Sequence, residues 1–313
     1  MRRSGDFPSG YAFLMKGYKM YSSQTFLITG ASGRLGKATI DFLLKKVPSS
    51  KIAALARDKN KAEDLKAKGI DIRIGDYTDY VSMTNAFKGI DKLLLISSSD
   101  MTDRAGQHIN AINAAKEVGV KHILYTSVDI KSLPDSAIPM IIEDHYKTVN
   151  HLVNSGLTYT LLNHNLYADV LPMFIGEKVL ETGIFFPAGK GKVPFTTRMD
   201  MAEAAANVLT SNGHESKEYA ISSGVAYSMD DVAGLLSELS GKKVRYTDPS
   251  KEVYVDTLTK AGVPEAYIGM NSSFAEAIKL NEFDTQTASL ENLLGRKPTS
   301  LKEYLKSVYF SNN

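Results

Sequence analysis

The sequence predicts an α/β fold: a doubly wound parallel sheet followed by a smaller, mainly helical C-terminal lobe. Between residues 25 and 163, short apolar runs alternate with segments of helical spacing. The apolar runs are nearly continuous, which is typical of parallel strands that are covered on both faces. After Asn163 this alternation stops and the remaining pattern is mainly helical. Together these observations favour one wound sheet and a second, smaller unit.

Six segments predict the strands of this sheet, because apolar residues run along each of them. The fourth is almost entirely apolar, as expected for a central strand. In chain order the strands are TFLITG (25–30), KIAALAR (51–57), IDIRIGD (70–76), DKLLLISSS (91–99), KHILYTS (121–127) and LTYTLLN (157–163).

Five helices are predicted between these strands. Ala38, Phe42 and Leu43 share one face of the first helix, Gly69 ends the second as a C′ residue, and Pro139 opens the fifth. In chain order the helices cover residues 36–47, 60–69, 79–89, 104–120 and 139–156.

The chain from residue 164 to residue 313 is expected to form the C-terminal lobe, with some segments packing back on the first domain. Its segment GIFFPAGKGKVPFTTR (183–198) is rich in Gly and Pro and is predicted to be a loop. One strand, KEYAIS (217–222), is expected among helices at 200–211, 228–241, 264–283 and 300–310. Residues 1–24 are expected to be a disordered leader, because the apolar block YAFLM is too short for a signal peptide.

The composition excludes several classes of protein. A net charge of +2 over 313 residues gives no indication of a nucleic-acid partner. The absence of cysteine excludes disulfides, thiolate metal sites and thiol catalysis, and is compatible with a cytoplasmic location. No stretch approaches the roughly 18 apolar residues that a membrane span requires. The expected protein is cytoplasmic, a monomer or homodimer, with a small-molecule partner.

The segment TGASGRLG (29–36) carries the strongest functional signal. Gly30, Gly33 and Gly36 lie between the first strand and the first helix. There one glycine permits the sharp turn, one lets the backbone approach a pyrophosphate, and one allows the helix to pack closely. The N-terminus of the helix offers free N–H groups to the phosphates. The segment therefore predicts a dinucleotide-binding, Rossmann-type domain over residues 25–163.

The residue at the end of the second strand indicates which dinucleotide is bound. Arg57 lies where an acidic residue would bind the adenosine ribose, and its guanidinium suits a 2′-phosphate. Arg34, in the glycine turn, is within possible reach of the same phosphate. Asp58, adjacent to Arg57, would instead suit an unphosphorylated ribose. NADP(H) is therefore favoured, and NAD(H) remains an alternative.

Polar residues follow the next three strands at the edge where a ligand binds. Asp76 and Tyr77 end the third strand, and Ser97, Ser98 and Ser99 end the fourth. Thr126 and Ser127 end the fifth strand. These small hydroxyl residues leave room for adenine, ribose and nicotinamide while offering hydrogen bonds.

These residues resemble the NmrA-like family of atypical short-chain dehydrogenases/reductases, and within it the bacterial NAD(P)H:quinone oxidoreductases that need no flavin. The resemblance extends from Thr25 to about Tyr309. The two most family-specific segments lie in the lobe, GKGKVPFTTRMDMAEAAANVL (189–209) and LLGRKPTSL (293–301). Further similar segments are ITGASGRLG, GDYTD, LLLISSS, QHINAINAAKEVGVKHILYTS and LVNSGLTYTLL.

The resemblance implies direct hydride transfer from NADPH to a quinone or similar electrophilic carbonyl, without flavin or metal. It implies that Arg57 binds the 2′-phosphate and that Asp76 and Tyr77 flank the adenine. Residues implied to bind the pyrophosphate side are Gly30, Ala31, Ser32, Gly33, Arg34, Leu35 and Gly36. Those implied near the nicotinamide are Ser97, Ser98, Ser127 and His145, and the implied catalytic residues are His145, Ser127 and Tyr167.

Three departures keep other functions open. The Tyr-x-x-x-Lys dyad of ordinary short-chain dehydrogenases is absent, since Asn150 follows Tyr146 by four residues. This argues against a conventional alcohol dehydrogenase or a sugar-nucleotide epimerase. Val149 replaces the acid of a frequent H-x-x-T-E pattern, and LLNHNLY (161–167) replaces LLRNGWY. A non-catalytic NADP(H)-binding redox sensor is therefore the alternative hypothesis.

Overall fold

The computed structural model describes residues 23–100, 102–131 and 136–310. The expected leader therefore lies almost entirely outside the described residues. None of the helices in these ranges is long and apolar enough to cross a bilayer.

A seven-stranded parallel sheet forms the centre of the molecule, in the order β3-β2-β1-β4-β5-β6-β8. The order reverses between β1 and β4, which places a topological switch point beside the glycine turn. This confirms the predicted doubly wound class. The strands of the sheet are β1 (Phe26–Ile28), β2 (Ile52–Ala56), β3 (Asp71–Ile74), β4 (Lys92–Leu95), β5 (His122–Val128), β6 (Thr158–His164) and β8 (Lys217–Ile221).

Both faces of the sheet are buried, and successive side chains along a strand point to opposite faces. In β1, Phe26 and Ile28 pack in one core, whereas Leu27 packs in the other. The first core includes helices α1 (Arg34–Leu44), α2 (Glu63–Ala67), α8 (Arg198–Thr210) and α12 (Ser289–Leu294). The second includes α3 (Tyr80–Phe87), α4 (Arg104–Glu117) and α5 (Pro139–Asn154).

A third apolar cluster fills the C-terminal region, where most of the remaining helices pack. A two-stranded sheet of β7 (Ile184–Phe185) and β9 (Tyr246–Thr247) lies in this region. The helices are α6 (Leu171–Ile175), α7 (Val179–Thr182), α9 (Met229–Ser240), α10 (Lys251–Lys260), α11 (Glu265–Lys279) and α13 (Leu301–Tyr309).

The structure differs from the expectation at strand KEYAIS, which the sequence places in the lobe. It forms β8, which pairs with β6 from Thr160↔Lys217 to His164↔Ile221 and extends the main sheet. Helix α8 also belongs to the sheet core rather than to the lobe cluster. Segments beyond residue 163 thus complete the first core. The division of the chain into two domains at residue 163 stays a prediction.

Candidate active site

The glycine turn lies at the switch point and is held by its own backbone. Gly30 has φ +56°, a left-handed conformation that favours glycine. The Gly33 N–H donates a hydrogen bond to Gly30 O at 2.9 Å, which closes the turn. At Gly36 an added Cβ would collide with Gly30 O and would lie 2.7 Å from Ala31 Cα. The three glycines therefore allow the turn and the close approach of α1 to it.

The N-terminus of α1 offers donors to an anion. Its N-cap, Gly33, provides no side-chain hydrogen bond, so the first-turn N–H groups have no side-chain cap. Of the residues predicted here, Ser32 lines the adjoining cavity, whereas Ala31 and Leu35 are buried in the core. Arg34 is exposed at the start of α1 and does not line that cavity. An uncapped N-terminus next to a glycine turn fits a pyrophosphate.

A cavity of about 600 Å³ begins at the glycine turn and follows the ends of β2, β3 and β4. Arg57 lines it, as predicted for a group that meets a 2′-phosphate. Asp58 does not line it, and its carboxylate accepts a hydrogen bond from Asn60 N–H at 2.9 Å. The predicted residues that line this first cavity are Gly30, Ser32, Gly33, Arg57, Asp76, Tyr77, Ser97 and Ser98.

Asp76 and Tyr77 take part in the wall in different ways. The Asp76 carboxylate accepts hydrogen bonds from the N–H and hydroxyl of Thr78, and these bonds, with the charge of Arg57, lower its pKa against the opposing effect of burial. The Tyr77 hydroxyl donates to Ile96 O at 2.9 Å, and burial raises its pKa. Asp76 is thus a fixed anion at the cavity, and Tyr77 fastens the end of β3 to the end of β4.

A second cavity, of about 260 Å³, adjoins the first and shares the segment from Ile96 to Ser99 with it. All three predicted catalytic residues, Ser127, His145 and Tyr167, line this second cavity. The structure therefore brings together residues from β5, α5 and the segment after β6. The complete lining is Ile96, Ser97, Ser98, Ser99, Arg104, Thr126, Ser127, Val128, His145, His164 and Tyr167.

A buried hydrogen-bond network surrounds His145. The Ser98 N–H donates to Nε2 of His108 at 2.9 Å, so the proton of the neutral His108 ring is on Nδ1. That Nδ1 atom lies 3.0 Å from Thr148 Oγ1 and 3.3 Å from the Tyr125 hydroxyl. The Tyr125 hydroxyl lies 2.8 Å from Nδ1 of His145, so these two side chains share one hydrogen bond.

His145 is neutral at physiological pH. Burial, reinforced by the positive charge of Arg104, lowers its pKa to about 3. It can therefore serve as a neutral hydrogen-bond donor, but not as a cationic acid. Burial likewise lowers the pKa of His108 to about 3, with a further contribution from His145 and Arg104.

Tyr167 is held by the family-specific segment of the lobe. The Arg198 guanidinium lies 5.2 Å from the centre of the Tyr167 ring and donates to Asp169 Oδ1 at 2.6 Å. The Ala168 N–H donates to Thr196 O at 2.9 Å. These contacts hold the Tyr167 ring and the backbone that follows it against the segment from Thr196 to Arg198.

Three residues of the second cavity and its support are absent from the sequence prediction: Arg104, His108 and Tyr125. Tyr125 lies two positions before Ser127 on β5, so the period of a strand places both on one face. That signal was available in the sequence. His108 and Arg104 come from α4, and no local pattern indicates that this helix end lies at the cavity.

No group of three or more potential metal ligands occurs among the residues that the structure describes. His145 instead binds Tyr125, and His151 accepts or donates a hydrogen bond with Asn113 at 2.8 Å.

Comparison with known proteins identifies the family. The model of the NmrA-like family matches residues 22–305. The chain belongs to the NmrA-like family. The resemblance inferred from the sequence is therefore confirmed.

Individual proteins similar to this chain show how far the similarity extends. Quinone oxidoreductase 2 of Escherichia coli (strain K12) is 39% identical over 289 residues, which cover 91% of this chain and 99% of that protein. The crystal structure of the E. coli NADPH-dependent quinone oxidoreductase complexed with NADPH has a TM-score of 0.83 at 35% identity, covering 91% and 100% of the two chains. Triphenylmethane reductase of Citrobacter sp., complexed with NADP(H), has a TM-score of 0.84 at 36% identity, covering 91% and 99%.

Proposed function

We propose that this protein is an NADPH-dependent oxidoreductase that reduces a quinone or a similar electrophilic carbonyl by direct hydride transfer, without flavin or metal. The observation that carries this proposal is the second cavity, which continues the dinucleotide cleft at the ends of β4 and β5. It is lined by uncharged polar side chains, among them His145 and Tyr167, and holds space for a small acceptor.

The residues of the first cavity fit NADPH. The uncapped N-terminus of α1 and the close-packed glycine turn suit the pyrophosphate, and Arg57 suits the 2′-phosphate. Asp58, the competing ligand for an unphosphorylated ribose, does not line this cavity. The similar E. coli and Citrobacter enzymes bind NADPH and NADP(H), respectively. We therefore propose NADPH as the preferred cofactor and NADH as a weaker one.

Bound NADPH would supply hydride from its dihydronicotinamide ring, and the protein chain would supply orientation. Ser97 and Ser98 lie where the two cavities meet, so they are placed to position the nicotinamide half. His145 is a neutral imidazole in the wall of the second cavity. Apolar groups such as Val128 help to exclude water there.

Two of the departures that motivate a non-catalytic sensor lie away from the second cavity. Val149 packs against the apolar core of α4 and α5. The Asn163 amide donates to Glu218 on the neighbouring strand β8. Tyr146 is 60% exposed, so it is not available as a proton donor in the cavity. His164, which replaces an asparagine, does line the second cavity, but it keeps a polar ring in the wall that an acceptor would contact, which is compatible with the enzyme.

The test measures oxidation of NADPH in the presence of p-benzoquinone, menadione or an aromatic aldehyde. The readout is the loss of NADPH absorbance. We expect turnover with at least one quinone and a higher kcat/KM with NADPH than with NADH. Tight NADPH binding by calorimetry without turnover of any acceptor would refute the enzyme and favour the sensor. The cytoplasmic location and the monomeric or homodimeric state stay predictions from the sequence.

A further inference from the structure

His164 carries a polar atom that none of the described residues satisfies. Its side chain is only 5% exposed and lines the second cavity, yet its Nε2 atom has no hydrogen-bond partner. A buried polar group without a partner costs about 1–3 kcal/mol relative to a satisfied one. Such an atom in a cavity wall indicates that a ligand atom completes it.

The partner of the other ring nitrogen decides what Nε2 offers. Nδ1 of His164 lies 3.0 Å from the Tyr167 hydroxyl, and among the described residues this is the one hydrogen-bond partner of that hydroxyl. Burial raises the pKa of Tyr167 to about 12, so the hydroxyl keeps its proton and needs an acceptor. Tyr167 therefore donates to Nδ1, and the proton of the neutral imidazole is on Nε2.

The imidazole stays neutral under ordinary conditions, because burial, with a smaller effect of His145, lowers the pKa of His164 to about 3. The Tyr167 ring that sets its tautomer is itself held under the Arg198 guanidinium. Nε2–H is therefore a fixed, neutral, buried donor without an acceptor among the residues that the structure describes.

We propose that Nε2–H of His164 binds the carbonyl oxygen of the acceptor and stabilises the negative charge that this oxygen gains during reduction. This proposal rests on the proposed function. The acceptor takes up a hydride, with its two electrons, and its oxygen becomes an oxyanion. The oxyanion then takes one proton from water. His164 donates a hydrogen bond throughout and does not lose its own proton.

The role predicts a preference among acceptors. A quinone or an activated ketone presents an oxygen that can accept this bond, whereas an acceptor that gains hydride at carbon without a nearby oxygen gains nothing from it. His164 is thus a residue that selects carbonyl acceptors, separate from the residues that bind the dinucleotide.

The experiment compares His164→Phe, which keeps a ring but removes the donor, with His164→Gln, which restores an N–H donor. Binding of hydroquinone to the NADP⁺ complex is measured by calorimetry, which requires no turnover. We expect His164→Phe to bind hydroquinone about tenfold more weakly and to lower kcat/KM for p-benzoquinone roughly 100-fold. NADPH affinity should be unchanged, and His164→Gln should recover a large part of both losses.

Asn163→Ala is the matched control, since it changes the adjacent strand position, whose side chain contacts Glu218 outside the cavity. It should bind hydroquinone as the wild type does. Equal hydroquinone binding by His164→Phe and the wild type, or no binding by the wild type, would overturn the proposal. So would His164→Gln behaving like His164→Phe. A wild type that binds hydroquinone but reduces no quinone would refute the proposed function and leave the role of His164 as a binding group supported.

Discussion

Replacing Gly36 with alanine tests whether close packing of α1 on the glycine turn creates the cofactor site. Gly36 lies inside α1, where alanine would ordinarily stabilise a helix by about 0.5–1 kcal/mol. At this position, however, the backbone of the glycine turn leaves no room for a methyl group, so alanine should be destabilising. The added Cβ would collide with Gly30 O, and it would lie 2.9 Å from Gly30 C and 2.7 Å from Ala31 Cα. All three are backbone atoms, so no flexible side chain can move aside.

The cost follows from the displacement that the turn must undergo. Forcing a methyl group into a packed site typically costs about 1–3 kcal/mol. If the turn is pushed out of its binding geometry, this cost appears in the dissociation constant of NADPH, as a rise of about 5- to 150-fold. If the folded protein keeps the geometry, the same cost lowers the free energy of unfolding instead.

The assay therefore measures both quantities for Gly36→Ala: NADPH affinity by calorimetry and the free energy of unfolding by urea denaturation. Gly234→Ala is the control, because Gly234 lies within α9 and an added Cβ there has no atom within 4 Å. The control should gain about 0.5–1 kcal/mol of stability and bind NADPH normally. Unchanged affinity together with unchanged stability in Gly36→Ala would refute the reasoning.

Three further predictions concern charge. Arg57→Ala should weaken NADPH binding about 10- to 100-fold by calorimetry while NADH binding changes little, because a charge-assisted bond to the 2′-phosphate is lost; equal losses for both would contradict it. Asp200→Ala should lower the free energy of unfolding in urea by about 1–3 kcal/mol, since the Thr197 hydroxyl and the Thr299 N–H lose their acceptor while the 44% exposed Arg296 side chain is rehydrated. The exposed Glu238→Ala should cost less than about 1 kcal/mol. Between about pH 7.5 and pH 5.5 the stability should fall, by up to about 1.4 kcal/mol per buried histidine at the lower pH. The reason is that histidines of the unfolded chain take up protons near their ordinary pKa of 6.5, whereas the folded rings of His108, His145 and His164 stay neutral with a pKa of about 3. Urea denaturation curves that coincide at the two pH values would contradict this.

The sheet was predictable because its signals are local. Most strands of the first domain carry a nearly continuous apolar run, although Ile70–Ile74 alternates isoleucine with charged residues, and the turns carry glycine or a capping residue close in sequence. The structure adds what such patterns do not contain. Strand β8 begins with the exposed residues Lys217 and Glu218, so its sequence does not show that it completes the main sheet. Helix α10 buries Tyr254 alone among its residues, and its weak periodicity explains why it was not predicted.

The candidate site divides in the same way. The dinucleotide cleft is built from the ends of successive strands, so residues such as Arg57 and Asp76 could be placed by counting from the glycine turn. The second cavity is built from α4, α5 and the segment after β6, which meet only in the folded chain. The unpartnered state of His164 Nε2 is a property of this packing. The sequence alone could mark His164 only as one histidine beside a tyrosine.

The lobe segments influence the acceptor site through one buried carboxylate. The Asp200 side chain is 1% exposed and accepts hydrogen bonds from the Thr197 hydroxyl, the Arg296 guanidinium and the Thr299 N–H, at 2.8, 2.7 and 2.8 Å. It thereby joins segment 189–209 to segment 293–301. Arg198, which follows the Thr197 N-cap, is the residue that holds the Tyr167 ring. The tautomer of the donor in the second cavity thus depends on a chain of contacts that begins at residues far from it in sequence. Because these contacts are buried, substitutions at Asp200 should alter reduction of the acceptor even where the dinucleotide cleft is intact.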